Sequence, residues 1–95
     1  MDFEWDDAKA LENVRRHGVD FNDAVAALLD PNRLENVDDR FDYGEERMIT
    51  IGLSGVRVLF VVTTLRGENT CRIISARRAR RNEEDRYFTG DSETW

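Results

Sequence analysis

The chain contains one cysteine, one proline, one histidine and, among fourteen basic residues, one lysine. Each scarcity excludes something. The lone Cys71 cannot staple the fold, so a disulfide framework is out unless two chains pair, and a reducing compartment suits the sequence best. One His with one Cys cannot close a zinc site. A single Pro and six Gly in 95 residues are too few for a collagen-like or disordered chain. The longest apolar run, residues 58–62, is far short of a membrane span. The opening Met1-Asp2-Phe3-Glu4-Trp5 has neither a basic segment nor an apolar stretch behind it, so no signal peptide is expected. There is no Gly-rich phosphate loop and no Gly-x-Ser-x-Gly elbow. A cytoplasmic chain with one core is the expectation, its domain spanning residues 1–88 and residues 89–95 forming a frayed tail.

What is present is charge, unevenly spread. The net charge of −6 speaks against a nucleic-acid partner until it is divided along the chain. Residues 1–46 carry fourteen acids and five bases, whereas residues 47–95 carry nine bases and six acids. Within residues 47–81 there are eight Arg and one acid, Glu68. An Arg fork pairs two oxygens of one phosphate at once, and a Lys acts as a point charge. Two readings fit this bias: a phosphate-binding surface, or arginines that pair with the acids of the first half.

Local patterns give the elements. Phe3-Glu4-Trp5 alternates like a very short strand. Asp6 is an N-cap candidate for a helix over residues 7–17, with Gly18 at its end. On that helix Ala8, Ala10, Leu11 and Val14 share one arc, and Lys9, Asn13 and His17 fall on the opposite side. A second helix is expected from Asp20 or Phe21 to Leu29, opened by a weak Asp20/Asp23 capping box and stopped by Asp30-Pro31. Then the periodicity changes. Strands are expected at residues 33–37, 48–53, 56–64 and 70–76, followed by a charged helix over residues 78–88. The order β-α-α-β-β-β-β-α is that of an α+β domain, a small antiparallel sheet covered by its helices. Trp5 is assigned to the core, and Trp95 to the surface.

The last three strands bring Arg47, Arg57, Arg72 and Arg77 onto one sheet, with Arg78 directly after. RNA cleavage at phosphorus needs positive charge on the phosphoryl oxygens, a base for the 2′-hydroxyl and an acid for the leaving oxygen. The arginines meet the first need. Arg72 and Arg77 are five apart, however, and point to opposite faces unless a bulge intervenes. The Lys9/Asn13/His17 ladder is either the wet side of a helix or a face that delivers a cation and the only imidazole to a site. Tyr87 either donates a proton or anchors the last helix to the sheet. The acidic loop, residues 38–46, lacks the spacing of a calcium loop, so no metal site is assigned.

These residues carry a resemblance. Phe3-Glu4-Trp5-Asp6, Lys9, Asn13, His17-Gly18-Val19, and Phe21 with Ala24 look like the opening of BrnT toxins. Gly44-Glu45-Glu46-Arg47, Arg57, Arg66-Gly67, the block Arg72-Ile73-Ile74-Ser75-Ala76-Arg77, and then Glu84 and Tyr87 are similar to that family's middle and closing motifs. The resemblance implies a RelE-like fold and a ribonuclease toxin that inhibits translation; a site of Arg, His and Tyr acting on RNA's own 2′-hydroxyl is expected to work without a metal or other cofactor. It implies a BrnA-type ribbon-helix-helix antitoxin as partner, operator DNA being reached only through that antitoxin. Its groove maps onto Arg47, Arg72, Arg77 and Tyr87. With His17, these are the candidate catalytic residues, and Lys9, Arg57 and Arg78 are the candidate RNA contacts. Two positions depart from the family: Phe41 and Thr63 stand where members often carry His. The departure keeps a second reading open, a catalytically inactive RelE-like module that serves the antitoxin as partner and operon co-repressor. A third, an independent DNA-binding domain, is opposed by the acidic first half.

Overall fold

The chain begins on the edge of a sheet and returns to that edge from the far side. A computed structural model describes residues 1–90. Its elements are β1 (Asp2–Glu4), α1 (Asp7–His17), α2 (Phe21–Leu29), β2 (Leu34–Val37), β3 (Met48–Ser54), β4 (Arg57–Arg66), β5 (Thr70–Arg78) and α3 (Arg81–Thr89). The α+β class and the element order agree with the sequence reading. The sheet has five strands in the order β1-β5-β4-β3-β2. β2 to β5 form the expected antiparallel meander, and β1 lies parallel to β5 through the pairs Asp2–Thr70, Phe3–Cys71 and Glu4–Arg72. The sheet is therefore mixed rather than wholly antiparallel.

The caps explain the helix ends. The Asp6 carboxylate accepts the Lys9 N–H at 3.1 Å, and Gly18 closes α1 at φ 67°, a left-handed conformation suited to glycine. Asp20 caps α2 by accepting from the Asn22 N–H at 2.8 Å. The Asp20/Asp23 capping box does not form, because the Asp23 carboxylate faces Arg57 instead. α3 begins three residues later than expected, since β5 continues through Arg78. Thr89, assigned to a tail, is the last residue of α3. Gly90 caps α3 at φ 74°, and residues 91–95, Trp95 included, lie outside the described residues.

Both faces of the sheet are buried. On one, Leu59, Val61, Ile73 and Ala76 pack against Phe21, Ala24 and Ala27 of α2. Trp5 lies partly buried against this cluster, edge-on to Phe21 at 5.9 Å. On the other, Leu34, Ile49, Ile51, Val58, Phe60 and Val62 meet Tyr87 of α3. β3 and β4 are covered on both sides, which is why they read as apolar runs.

α1 departs most from its sequence pattern. Leu11 and Val14 of the apolar arc are exposed, and Asn13 of the polar ladder is buried. β1 pairs with β5 only as far as Arg72, which leaves the β5 edge open beyond it. Asn13 fills that edge. Its amide nitrogen donates to the Ala76 and Val19 carbonyls at 2.8 and 2.9 Å, and its amide oxygen accepts the Ala76 N–H at 3.1 Å. A buried backbone edge left unpaired costs more than two exposed aliphatic side chains. Among the described residues, no helix is long and apolar enough to cross a membrane.

Candidate functional site

The parity problem is solved by a bulge. Val62 pairs with Ser75 and Thr63 with Ile73, so Ile74 is an extra residue in β5 without a partner on β4. Arg72 and Arg77 are five apart in sequence but pair with Thr64 and Phe60, which are four apart. Both arginines consequently share the face that carries Phe60 and Val62, about 13 Å apart along the strand.

Three rows cross this face. Leu34, Ile51, Phe60 and Arg77 form one, and Asn36, Ile49, Val62 and Ser75 the next. In the third, Thr64 pairs with Arg72 and donates its hydroxyl to the Glu46 carbonyl at 2.8 Å, which brings the start of β3 and Arg47 alongside.

Each of these arginines already holds a carboxylate. Arg77 donates to both Glu83 oxygens at 2.8 and 3.0 Å, with its guanidinium 3.9 Å from the centre of the Phe60 ring. Arg72 donates to Glu4 at 2.6 Å, and Arg47 to Glu45 at 3.0 Å while lying over the Tyr43 ring. Arg40, which the sequence reading passed over, reaches back from the acidic loop to the same Phe60 ring at 5.5 Å. Its guanidinium is fixed by two bonds to Asp38, at 2.8 and 2.9 Å. No sequence signal marked Arg40, since only the loop's closure over the sheet brings it there. Burial would raise the Glu83 carboxyl, but the bonds from Arg77 and the Arg80 N–H outweigh it and hold the group below its ordinary value. The Asp38 carboxyl is also lowered, chiefly by the Arg40 side chain against the opposing effect of burial.

The helix ladder meets this face at the bulge. Lys9, Glu12, Asn13, Arg16 and His17 line an open pocket of about 170 Å³ together with Ile74 and Ser75. Ser75 belongs to the middle row, between the Arg72 and Arg77 rows. Lys9 and His17 are exposed. Four candidates therefore gather around one stretch of β5: Lys9, His17, Arg72 and Arg77.

Three others do not join them. Arg57 points to the helix-covered face, 3.5 Å from Asp23 of α2. Arg78, paired with Leu59, is directed to that side as well and is exposed. Tyr87 is buried, and its hydroxyl donates to Asp30 at 2.5 Å. Burial first, and then the bond and charge of Asp30, push its ionisation up to about 12. The geometry is that of an anchor. Asp30 also accepts from the Leu53 and Asn32 N–H groups, tying the ends of α2, β3 and α3 together.

The two departures from the family fall in different places. Thr63 is buried on the helix-covered face, paired with Ile73, so it is absent from the arginine face altogether. Phe41 is exposed, edge-on to Tyr43 at 5.9 Å. In the acidic loop Asp38, Asp42 and Glu45 are engaged by Arg40, the Gly44 N–H, and Arg47 with Arg66. Among the described residues, no three acidic, His or Cys side chains converge as a metal site requires. Burial pushes the Cys71 thiol up, away from the reactive thiolate.

Comparison with known proteins gives two positive findings. Residues 5–83 match the family described as the ribonuclease toxin, BrnT, of type II toxin–antitoxin systems. Among solved structures, the fold is similar to the 1.1 Å crystal structure of the Brucella abortus ribonuclease toxin BrnT, with 26% sequence identity and a TM-score of 0.63. The match covers 85% of this chain and 99% of that one. No curated protein matches the sequence.

Proposed function

Because this chain belongs to the BrnT family of ribonuclease toxins of type II toxin–antitoxin systems, we propose that it is itself an endoribonuclease that cleaves RNA without a metal ion. The observation that carries this reading is the bulge at Ile74, which turns Arg72 and Arg77 to one face and sets Ser75 between their rows, in the pocket of Lys9 and His17. The 2′-hydroxyl of a ribose attacks the adjacent phosphorus, the 5′-oxygen leaves, and a 2′,3′-cyclic phosphate forms. Because the nucleophile belongs to the substrate, alignment supplies much of the acceleration. Arg72 and Arg77 stabilise the charge that builds on the phosphoryl oxygens. His17 takes or returns the proton, Lys9 draws the strand toward it, and Arg47 extends the cationic row beside Arg72. Tyr87 serves by anchoring α3, and Arg57 by fastening α2 to β4.

The partner in this reading is a BrnA-type antitoxin with a ribbon-helix-helix part, and operator DNA is reached through it alone. Free toxin inhibits translation in the cytoplasm by cutting RNA. The competing reading, an inactive module acting as antitoxin partner and operon co-repressor, draws on the carboxylates that occupy Arg47, Arg72 and Arg77. Incubating the purified chain with a structured cellular RNA in EDTA separates the two. Cleavage with cyclic-phosphate ends supports the enzyme. Intact RNA with retained antitoxin binding supports the module, and cleavage that needs added magnesium sinks the metal-free mechanism.

A further inference from the structure

The arginines of this chain fall into two populations. Those of the sheet face are held by carboxylates, and a cation already paired releases few counterions when a phosphate replaces its partner. At the junction of β5 and α3 the sequence runs Arg77-Arg78-Ala79-Arg80-Arg81. Arg77 takes both oxygens of Glu83, and the Glu83 carboxylate also accepts the Arg80 N–H at 2.7 Å. The nearest acid is thereby used up. Arg78, Arg80 and Arg81 are exposed, and none of them forms an ion pair among the described residues.

We propose that Arg78, Arg80 and Arg81 form a docking rim for the phosphate backbone of an RNA strand, outside the groove of Arg72 and Arg77. The proposal rests on the ribonuclease reading above for its ligand. Arg80 is extended, at φ −75° and ψ 165°, and the Ala79 N–H still bonds to Val58 at 2.9 Å, so the ladder runs to the rim. Arg78 and Arg80, two residues apart on extended backbone, stand about 6.6 Å apart on one side. Arg81 follows on the first turn of α3. Arg78 and Arg80 lie on the side opposite Arg77, so a strand lying across Arg77 reaches them by turning over the end of β5, where it meets three forks that form no ion pair among the described residues, an arrangement suited to a repeating phosphate. The rim supplies the ionic affinity and the groove supplies the chemistry.

The test is the salt dependence of binding, read with a fluorescent 2′-O-methyl oligouridine that cannot be cleaved. Each single-strand phosphate contact contributes about 0.7 to the slope of log affinity against log salt. The triple variant Arg78→Gln, Arg80→Gln, Arg81→Gln is expected to lower that slope by about 2 and to bind about tenfold more weakly at low salt. Arg15→Gln, which removes an exposed charge on α1, keeps the wild-type slope. A triple variant with the wild-type slope overturns the rim, as does one that loses only antitoxin binding, which would assign the patch to a protein partner. Wild-type chain that shows the rim-dependent slope yet cuts no RNA leaves the rim standing and sinks the ribonuclease reading instead.

Discussion

Arg77 and Glu83 are joined by two parallel hydrogen bonds, so the end of β5 and the first turn of α3 act as one ionic unit. The pair gives Arg77 a structural task. Arg77→Ala leaves the Glu83 carboxylate, only 7% exposed, without its partner, at a cost of about 3 kcal/mol. A melting curve matching wild type would show that the pair holds nothing.

The same unit sets an acid limit. The Glu83, Asp38 and Asp30 carboxyls are all held below their ordinary values in the folded chain. A lowered carboxyl contributes stability above its unfolded pKa, which is lost as pH falls through the folded one. Denaturant titrations should therefore give little change in stability from about pH 5 up to the alkaline range and a steady loss below about pH 4. Glu83→Gln should flatten part of that loss, and an unchanged profile in this variant would remove Glu83 from the account.

Tyr87 gives the opposite sign at the other end of the scale. Its ionisation, raised from 10.0 to about 12, contributes stability that is complete below pH 10 and lost as pH rises through 12. Tyr87→Phe should be less stable at neutral pH by on the order of 2 kcal/mol and lose the alkaline dependence. It should still cleave RNA with the wild-type pH profile. Activity abolished in a stably folded Tyr87→Phe protein would return the tyrosine to the chemistry.

His17→Ala should lower kcat on RNA with little change in melting temperature, since the side chain is exposed. A base must be neutral to accept a proton, so the pH profile of the wild-type rate should differ from that of the variant. Parallel pH profiles for the two proteins would exclude His17 as the base.

Asn13→Leu tests the inverted helix. An apolar residue there matches the ordinary helical pattern but strands the Ala76 N–H and two carbonyls, at a cost of about 3 kcal/mol. Hydrogen exchange at the Ala76 amide should accelerate; protection equal to wild type would show that the edge is satisfied some other way.

Gly52 sits in the middle of β3, where a Cβ would lie 2.2 Å from the Ala27 carbonyl oxygen of α2. Backbone on both sides cannot yield easily, so Gly52→Ala should destabilise by about 3 kcal/mol. A crystal structure of this variant with α2 undisplaced would contradict the close approach.

Much of this architecture is legible from periodicity and punctuation. The helix over residues 7–17 follows from Asp6 and Gly18, and the strands from β-branched runs between Gly-containing turns. What misleads is any feature set by a distant partner. Leu11 and Val14 look like a buried arc because a helical wheel carries no information about the open β5 edge that Asn13 completes. The candidate arginines could be named from charge, but not sorted. Which of them hold carboxylates depends on Glu4, Glu45 and Glu83, and of these Glu4 is 68 residues away from the arginine it pairs with. Gly52 read as an ordinary strand residue, since its reason lies in α2.

The bulge at Ile74 bears on how relatives of this chain are to be recognised. A straight β5 would keep two arginines on one face only at an even spacing, and here the spacing is five. Ile74 is the one residue in this stretch of β5 without a partner on β4, and it absorbs the phase change locally. A homologue that lost it would carry its arginines four apart and still direct both to the face of Phe60 and Val62. Alignments that penalise a gap inside this block would score such a homologue as having lost one of its two arginines. The phase of the strand, rather than the number of residues between the arginines, decides which face the two side chains share.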